Sequence, residues 1–152
     1  MSGVFLAHHL DHSGTLNMPA RSRTAARRAR NASLILGLYA LLGGVISFTG
    51  WAADLPRLTD WSGGGISIQP NGSIAAFTSG IAILLLEFGY RRIAAVCGVV
   101  VAAIGATVIY QYVSGTDLHI DTLLMFGREW GRGGVLFVGR MGPPGAISWT
   151  II

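Results

Sequence analysis

Asp117, His119 and Asp121 alternate along one short stretch. In extended backbone successive side chains point to opposite faces, so all three would share one face. Two carboxylates and an imidazole so placed could hold a divalent ion or register pH, imidazole being the side chain that titrates closest to neutrality. In a helix they would spread around the axis, and Asp121, standing before Thr122-Leu123-Leu124-Met125-Phe126, would cap a short interfacial helix instead. A second group, His8, His9, Asp11 and His12, puts His8 and His12 one helical turn apart. Its surroundings supply no core to hold a second shell, so a disordered tail is expected there and no metal site. Glu87 and Arg91 stand four apart with the acid first, the favourable order for a helix-surface ion pair. A carboxylate beside an apolar run is also a functional candidate, here for handling ions. Cys97, the one cysteine, lies inside an apolar run and reads as a small buried hydrophobe.

The elements that must position these residues are dominated by apolar runs. Only 12% of the residues are charged, against about a quarter in ordinary soluble domains. Between Arg30 and Asp54 lie 23 uncharged residues, between Asp60 and Glu87 lie 26, and between Arg92 and Asp117 lie 24. At about 1.5 Å per residue each could cross a hydrocarbon layer of roughly 30 Å. The expected fold is therefore all-α: an integral membrane helical bundle with three transmembrane helices, at about 32–53, 73–90 and 93–113, plus the start of a fourth from 146. Residues 1–30 are expected to be a disordered basic cytoplasmic tail, and 31–152 the transmembrane domain. Pro56, Asp60, Gly63, Gly64, Gly65, Pro70 and Asn71 mark an outside loop over 54–72, and a second covers 114–145.

The basic balance of +4 comes from arginine alone, and the arginines flank the apolar runs, which excludes a nucleic-acid groove. Arg21, Arg23, Arg27, Arg28 and Arg30 before the first span, and Arg91-Arg92 between the second and third, place the N-terminus of a multi-pass membrane protein in the cytoplasm. A signal peptide is the competing reading of the first span, which is longer than the usual signal core. Met18 opens the basic segment and is an alternative start. In the second loop Arg128, Glu129, Arg132 and Arg140 accompany Trp130 and could receive an anionic signal, but Gly127, Gly131, Gly133 and Gly134 imply a mobile loop whose charges mostly meet water. The glycosylation patterns at Asn31 and Asn71 are too short to carry weight.

Ala94, Gly98, Ala102 and Ala106 recur every fourth position on the third span, a face that lets another backbone approach. Ala40 with Gly44, and Ala76 with Gly80, are shorter versions. A weak repeat lays Pro70-Asn71-Gly72-Ser73-Ile74-Ala75 on Pro143-Pro144-Gly145-Ala146-Ile147-Ser148, so the chain reads as two copies of helix, loop, proline turn, helix. In the second copy the last helix is only begun, which implies a truncation within it or a longer natural protein.

Tyr110-Gln111-Tyr112 followed by Gly115-Thr116-Asp117-Leu118-His119-Ile120-Asp121-Thr122-Leu123-Leu124, and then Gly139-Arg140-Met141-Gly142-Pro143-Pro144-Gly145-Ala146, resembles the amino-terminal membrane sensor region of bacterial histidine kinases and diguanylate cyclases. In that group a helix ends in "QY", a "G-x-D-x-x-I-D-x-L-L" stretch follows, and "R-M-x-P-x-T-A" opens the next helix. The resemblance covers residues 33–152 and implies a cytoplasmic output domain in a longer parent protein. No phospho-acceptor segment, nucleotide-binding glycine box or cyclase motif is present, so neither catalysis nor a cofactor is expected. The readings that follow are a non-catalytic sensor or anchor module of a signal-transduction protein, a small transporter or channel subunit, or a stand-alone structural membrane protein. The expected partners are the lipid bilayer and further copies of the chain in a homo-oligomer.

Overall fold

The computed structural model describes residues 20–133 and 135–151, and His8, His9, Asp11 and His12 lie outside that range. By contacts the chain falls into two units, residues 1–32 and 33–152, and the packing described below belongs to the second. Five helices occur among the described residues, and no strand: α1 (Ala20–Ala52), α2 (Pro70–Glu87), α3 (Arg91–Ser114), α4 (Ile120–Leu123) and α5 (Pro143–Ile151). A 3-10 turn, Pro56–Leu58, lies in the first loop.

The helix boundaries follow from local chemistry and correct several expectations. α1 begins at Ala20, well before residue 32, so Arg23–Arg30 are helical and exposed, not part of a disordered tail. Alanine and arginine are among the best helix formers and carry the helix through the basic stretch. Both prolines expected in turns instead open helices, Pro70 for α2 and Pro143 for α5. At the first helical position the missing N–H has no partner to lose and the fixed φ suits the helix. α2 ends at Glu87 with the Tyr90 N–H donating to Leu85 O at 2.8 Å and the Gly89 N–H to Leu86 O at 3.1 Å. Gly89 takes φ 85°, the left-handed conformation this cap requires.

Two helical stretches, Arg23–Ala52 and Arg91–Ser114, are long and apolar enough to cross a membrane. Only 17% and 22% of their apolar windows are buried, unlike the core helices of a water-soluble fold. α2 is 18 residues long, about 27 Å, and its first turn, Pro70 to Ser73, is too polar for it to qualify by the same measure. α5 is nine residues.

The helices meet through glycines. A Cβ on Gly44 of α1 would lie 2.7 Å from Ser73 O and closer still to Phe77 N of α2. A Cβ on Gly105 of α3 would lie 2.7 Å from Ala146 O and 2.8 Å from Thr150 N of α5. Ser73 and Phe77 stand three and seven residues past Pro70, and Ala146 and Thr150 stand three and seven past Pro143. A matching hydrogen bond closes each pair. Trp51, seven past Gly44, donates Nε1–H to Ile68 O at 2.8 Å, and Tyr112, seven past Gly105, donates its hydroxyl to Met141 O at 3.2 Å. The acceptors each stand two residues before the helix-opening proline. The weak sequence repeat is thus a repeat of packing, with α1 to α2 as α3 is to α5. Beneath the second closure Val108, Met141 and Ala146 form a small buried core with Ile104, Tyr112 and Trp149 against it.

Gly44→Leu and Gly105→Leu should each destabilise the fold by about 1–3 kcal/mol, because the backbones cannot separate without losing the whole contact. Ala106→Leu, at an exposed position of α3, should change stability by less than about 0.5 kcal/mol. Unfolding titrations in detergent micelles measure both.

Candidate functional site

At the end of the bundle where α3 finishes and α2 and α5 begin, polar side chains from four segments converge below the surface. Asp121 is a residue of the one-turn helix α4 and 3% exposed; Arg140 precedes α5 and is likewise 3% exposed. Arg140 Nε donates to Asp121 Oδ2 at 2.8 Å and Nη2 to Gln111 Oε1 at 2.8 Å. Asn71 Nδ2 donates to Asp121 Oδ1 at 2.9 Å, and Gln111 Nε2 to Asp121 Oδ2 at 3.1 Å. Asn71 Oδ1 in turn accepts the N–H groups of Gly72 and Met141, at 2.8 and 3.2 Å. Gln111 Oε1 also accepts the Leu118 N–H at 3.0 Å. The guanidinium carbon of Arg140 lies 4.6 Å from the Phe137 ring centroid and 5.5 Å from that of Tyr112, both within cation–π range.

Each member is delivered by a structural necessity. Asn71 follows the helix-opening Pro70, and Gln111 lies in the last turn of α3 before Gly115 ends the helix at φ 66°. Asp121 is turned inward because His119 takes φ 56° and α4 starts directly after it. That reversal breaks the extended alternation which would have put Asp117, His119 and Asp121 on one face. Asp117 and His119 stay at the surface, with side chains 54% and 78% exposed and Asp117 Oδ2 3.6 Å from His119 Nδ1. Asp117 Oδ1 accepts the His119 N–H at 2.9 Å and lies 3.3 Å from Arg140 Nη2. Asp121 does not cap α4; His119 is its N-cap, without a side-chain bond. No group of three metal-ligating side chains occurs among the described residues.

A cavity of about 330 Å³ opens between α2, α3 and α4 under this network. Its wall is Ile74, Val100, Ile104, Val108, Ile120 and Leu124, and only Asn71, Gln111, Asp121 and Thr107 are polar. Both carboxylate oxygens of Asp121 already have donors. The arrangement therefore suits holding segments together, with room beside it for an apolar body.

The second loop, expected to be mobile with its charges in water, is folded onto the end of α1. Trp130 stacks on fully buried Trp51 with ring centroids 4.1 Å apart and donates Nε1–H to Asp54 Oδ1 at 2.8 Å. Arg128 donates to the carbonyls of Trp51 and Ala52 and pairs with Asp54 at 3.2 Å. Gln69 Nε2 reaches Gly131 O at 3.1 Å. In the first loop Asp60 accepts the N–H groups of Gly65 at 2.7 Å and Gly64 at 3.2 Å. The Gly65 N–H, ahead of smaller contributions, holds this carboxyl below its ordinary 3.8.

Glu87 ends α2 and Arg91 opens α3, so the Gly89 turn separates them and they do not share one continuous helix. Of the small-residue face, Ala94 is buried, Gly98 and Ala102 are half-buried and Ala106 is exposed. A Cβ on Gly98 would meet nothing within 4 Å; the close approach belongs to Gly105, one position from Ala106. Cys97 is half-buried. Sequence reasoning missed Arg140, Gln111, Asn71 and Trp51. Gln111 and Arg140, like Asp121, lie in the stretches that carry the resemblance; the remaining signal was position, because Asn71 and Arg140 flank the two prolines of the repeat, and Gln111 and Trp51 stand at the far ends of the runs before them.

No protein-family model, no curated protein and no solved structure matches this chain.

Asn71→Leu should cost about 1–3 kcal/mol, since it removes a donor from buried Asp121 and strips the Met141 N–H of its acceptor. His119→Ala should stay within about 0.5 kcal/mol. Chemical unfolding compares the two, and amide exchange at Met141 should accelerate only in Asn71→Leu. As a check on loop geometry, the Asp60 carboxyl should titrate below 3.8 by NMR. Because its pKa is depressed on folding, whatever stability it contributes is present above 3.8 and fades as pH falls through the lower folded value.

Proposed function

We propose that this chain is a non-catalytic sensor or anchor module of a bacterial signal-transduction protein, multi-pass in the cytoplasmic membrane with its N-terminus in the cytoplasm. In this reading α1, α2 and α3 each cross the bilayer and α5 begins a fourth crossing. The observation that carries it is the exposed apolar surface. Ile35, Leu36, Leu38, Leu42, Val45 and Ile46 stand exposed on α1, and Ile93, Val96, Val99, Val100 and Val113 on α3. Water-soluble monomers do not leave such continuous apolar faces bare, whereas lipid tails would cover them.

Polarity along the helices agrees with this placement. The buried network and the two folded loops lie at one end of α3, and Arg91-Arg92 at the other, the end that the positive-inside bias keeps in the cytoplasm. α2 is less apolar than its neighbours, but its Gly80 lies against Gly37 and Leu41 and it also packs on α3, so it would cross with them. The same contact favours keeping α1 as an anchor over cleaving it as a signal, because removal would bare the Gly80 face. The signalling part of the reading rests on the Asp121–Arg140 joint. It ties one loop to the start of α2, the end of α3 and the approach to α5, so a ligand or pH change acting on that loop would bias three helices together. A cytoplasmic output domain and further copies of the chain are the partners this role calls for.

Reporter fusions after Tyr90 and after Gly127 should read cytoplasmic and external respectively; the reverse pattern contradicts the topology. For transmission, spin labels at Ile35→Cys and Phe88→Cys in a Cys97→Ser background report the far end of the helices. A sensor should change that separation when Arg140 is replaced by Lys. An unchanged separation would leave an anchor and remove the sensor.

A further inference from the structure

The first loop does not stand clear of the helix before it. The Leu55 N–H donates to Gly50 O at 2.8 Å, and the chain then turns back along α1. A Cβ on Gly50 would lie 2.8 Å from Thr59 Cγ2, and a Cβ on Gly43 would lie 3.0 Å from Trp61 Cη2. The Trp61 ring also meets that of Tyr39 edge to face, with centroids 6.4 Å apart. Tyr39, Gly43 and Gly50 follow one another at spacings of four and seven residues, so they share one face of α1, and the loop descends along it. Its depth follows from counting. Arg30 and Trp51 are 21 residues apart, about 32 Å of helix, so on the membrane reading they mark the two edges of the hydrocarbon layer. Gly43 is eight residues before Trp51, which sets the Trp61 ring on the order of 10 Å inside the outer edge.

The loop is built for that position. Trp61 donates Nε1–H to Leu58 O at 2.7 Å, so the indole needs no acceptor from water. Thr59 Oγ1–H donates to Pro56 O at 2.8 Å, and the Ile68 N–H returns to Thr59 O at 2.9 Å. The charged groups gather at the other level: Arg57, Asp60 and Gly65 line a cleft of about 260 Å³ with Trp130 and Gly131, beside the Trp51 end of α1. Trp61 stays 46% exposed, as do Leu42 and Ile46 of α1 to a similar degree, so protein covers the ring on one side only. We propose that residues 56–68 form a foot seated in the outer leaflet of the bilayer, with the Trp61 ring among the acyl chains against α1 and with Arg57 and Asp60 at the headgroups. Interfacial segments bury their apolar side about 5–10 Å into this boundary, a reach that Trp61 matches. Such a foot holds the outer end of α1 at a fixed depth, the part that interfacial aromatic residues play as anchors. It rests on the membrane reading above but not on the signalling role.

The test uses the full chain in phosphatidylcholine vesicles, where the contribution of Trp61 is the fluorescence lost in Trp61→Phe. Phenylalanine keeps a ring against Gly43 and Tyr39, and Trp61→Tyr should give the same difference. Phosphatidylcholine brominated in its acyl chains should quench this contribution about twofold or more, and iodide present on both faces of the vesicle should leave it nearly unchanged. Quenching by iodide without quenching by the bromolipid puts the loop in water and overturns the proposal. Protection from both quenchers overturns it too, because a second copy of the chain would then be the cover. Release of the chain from membranes by alkaline washing would overturn the membrane reading and the foot together, whereas an iodide-accessible Trp61 in a chain that resists washing overturns only the foot.

Discussion

A carboxylate removed from water must be given a countercharge and donors, or the fold around it fails. Asp121 has all of these, from Arg140, Asn71 and Gln111, and each comes from a different segment. A buried ion pair of this kind adds little stability over a well-packed apolar replacement, yet losing one partner is severe because the other is stranded. Its structural effect is to fix positions. The start of α2, the end of α3, α4 and the segment leading into α5 are all held at Asp121. The same arrangement lays the Arg140 guanidinium against Phe137 and Tyr112 and sets Tyr112 to bond Met141.

The glycines define how the helices lie below that joint. Gly44 and Gly80 bring α1 and α2 into backbone contact, and Gly105 does so for α3 and α5. Helices in lipid associate where small residues let backbones touch, so the pattern agrees with the membrane placement proposed for α1 and α3. The two pairs share contact offsets from their prolines and equivalent ring-to-carbonyl bonds, made by tryptophan in one and tyrosine in the other. An indole and a phenol do the same work because each carries one donor on an aromatic body.

What could be read from the sequence was what depends on composition and short spacing. The helical class, the long α1 and α3, and the proline repeat all rest on runs or local patterns. The small-residue pairs Ala40/Gly44 and Ala76/Gly80 are visible for the same reason, whereas in the longer series a Cβ on Gly98 would meet nothing within 4 Å. The joint was not legible because its members are 10 to 70 residues apart and become neighbours only through the fold. Asp121 was singled out, but for an extended backbone that the positive φ of His119 rules out. Arg140 and Arg128 looked like solvated loop charges because glycine frequency indicates backbone freedom, and it carries no information on whether tertiary contacts such as Trp130 on Trp51 remove that freedom.

The most direct test of the joint is a double-mutant cycle on Asp121→Leu and Arg140→Met, followed by unfolding in micelles. Each single replacement should destabilise by about 3–5 kcal/mol, and the pair together by far less than the sum, because neither charge is then stranded. Single costs below about 1 kcal/mol that simply add would describe an exposed pair, and would contradict the claim that this buried contact organises the fold.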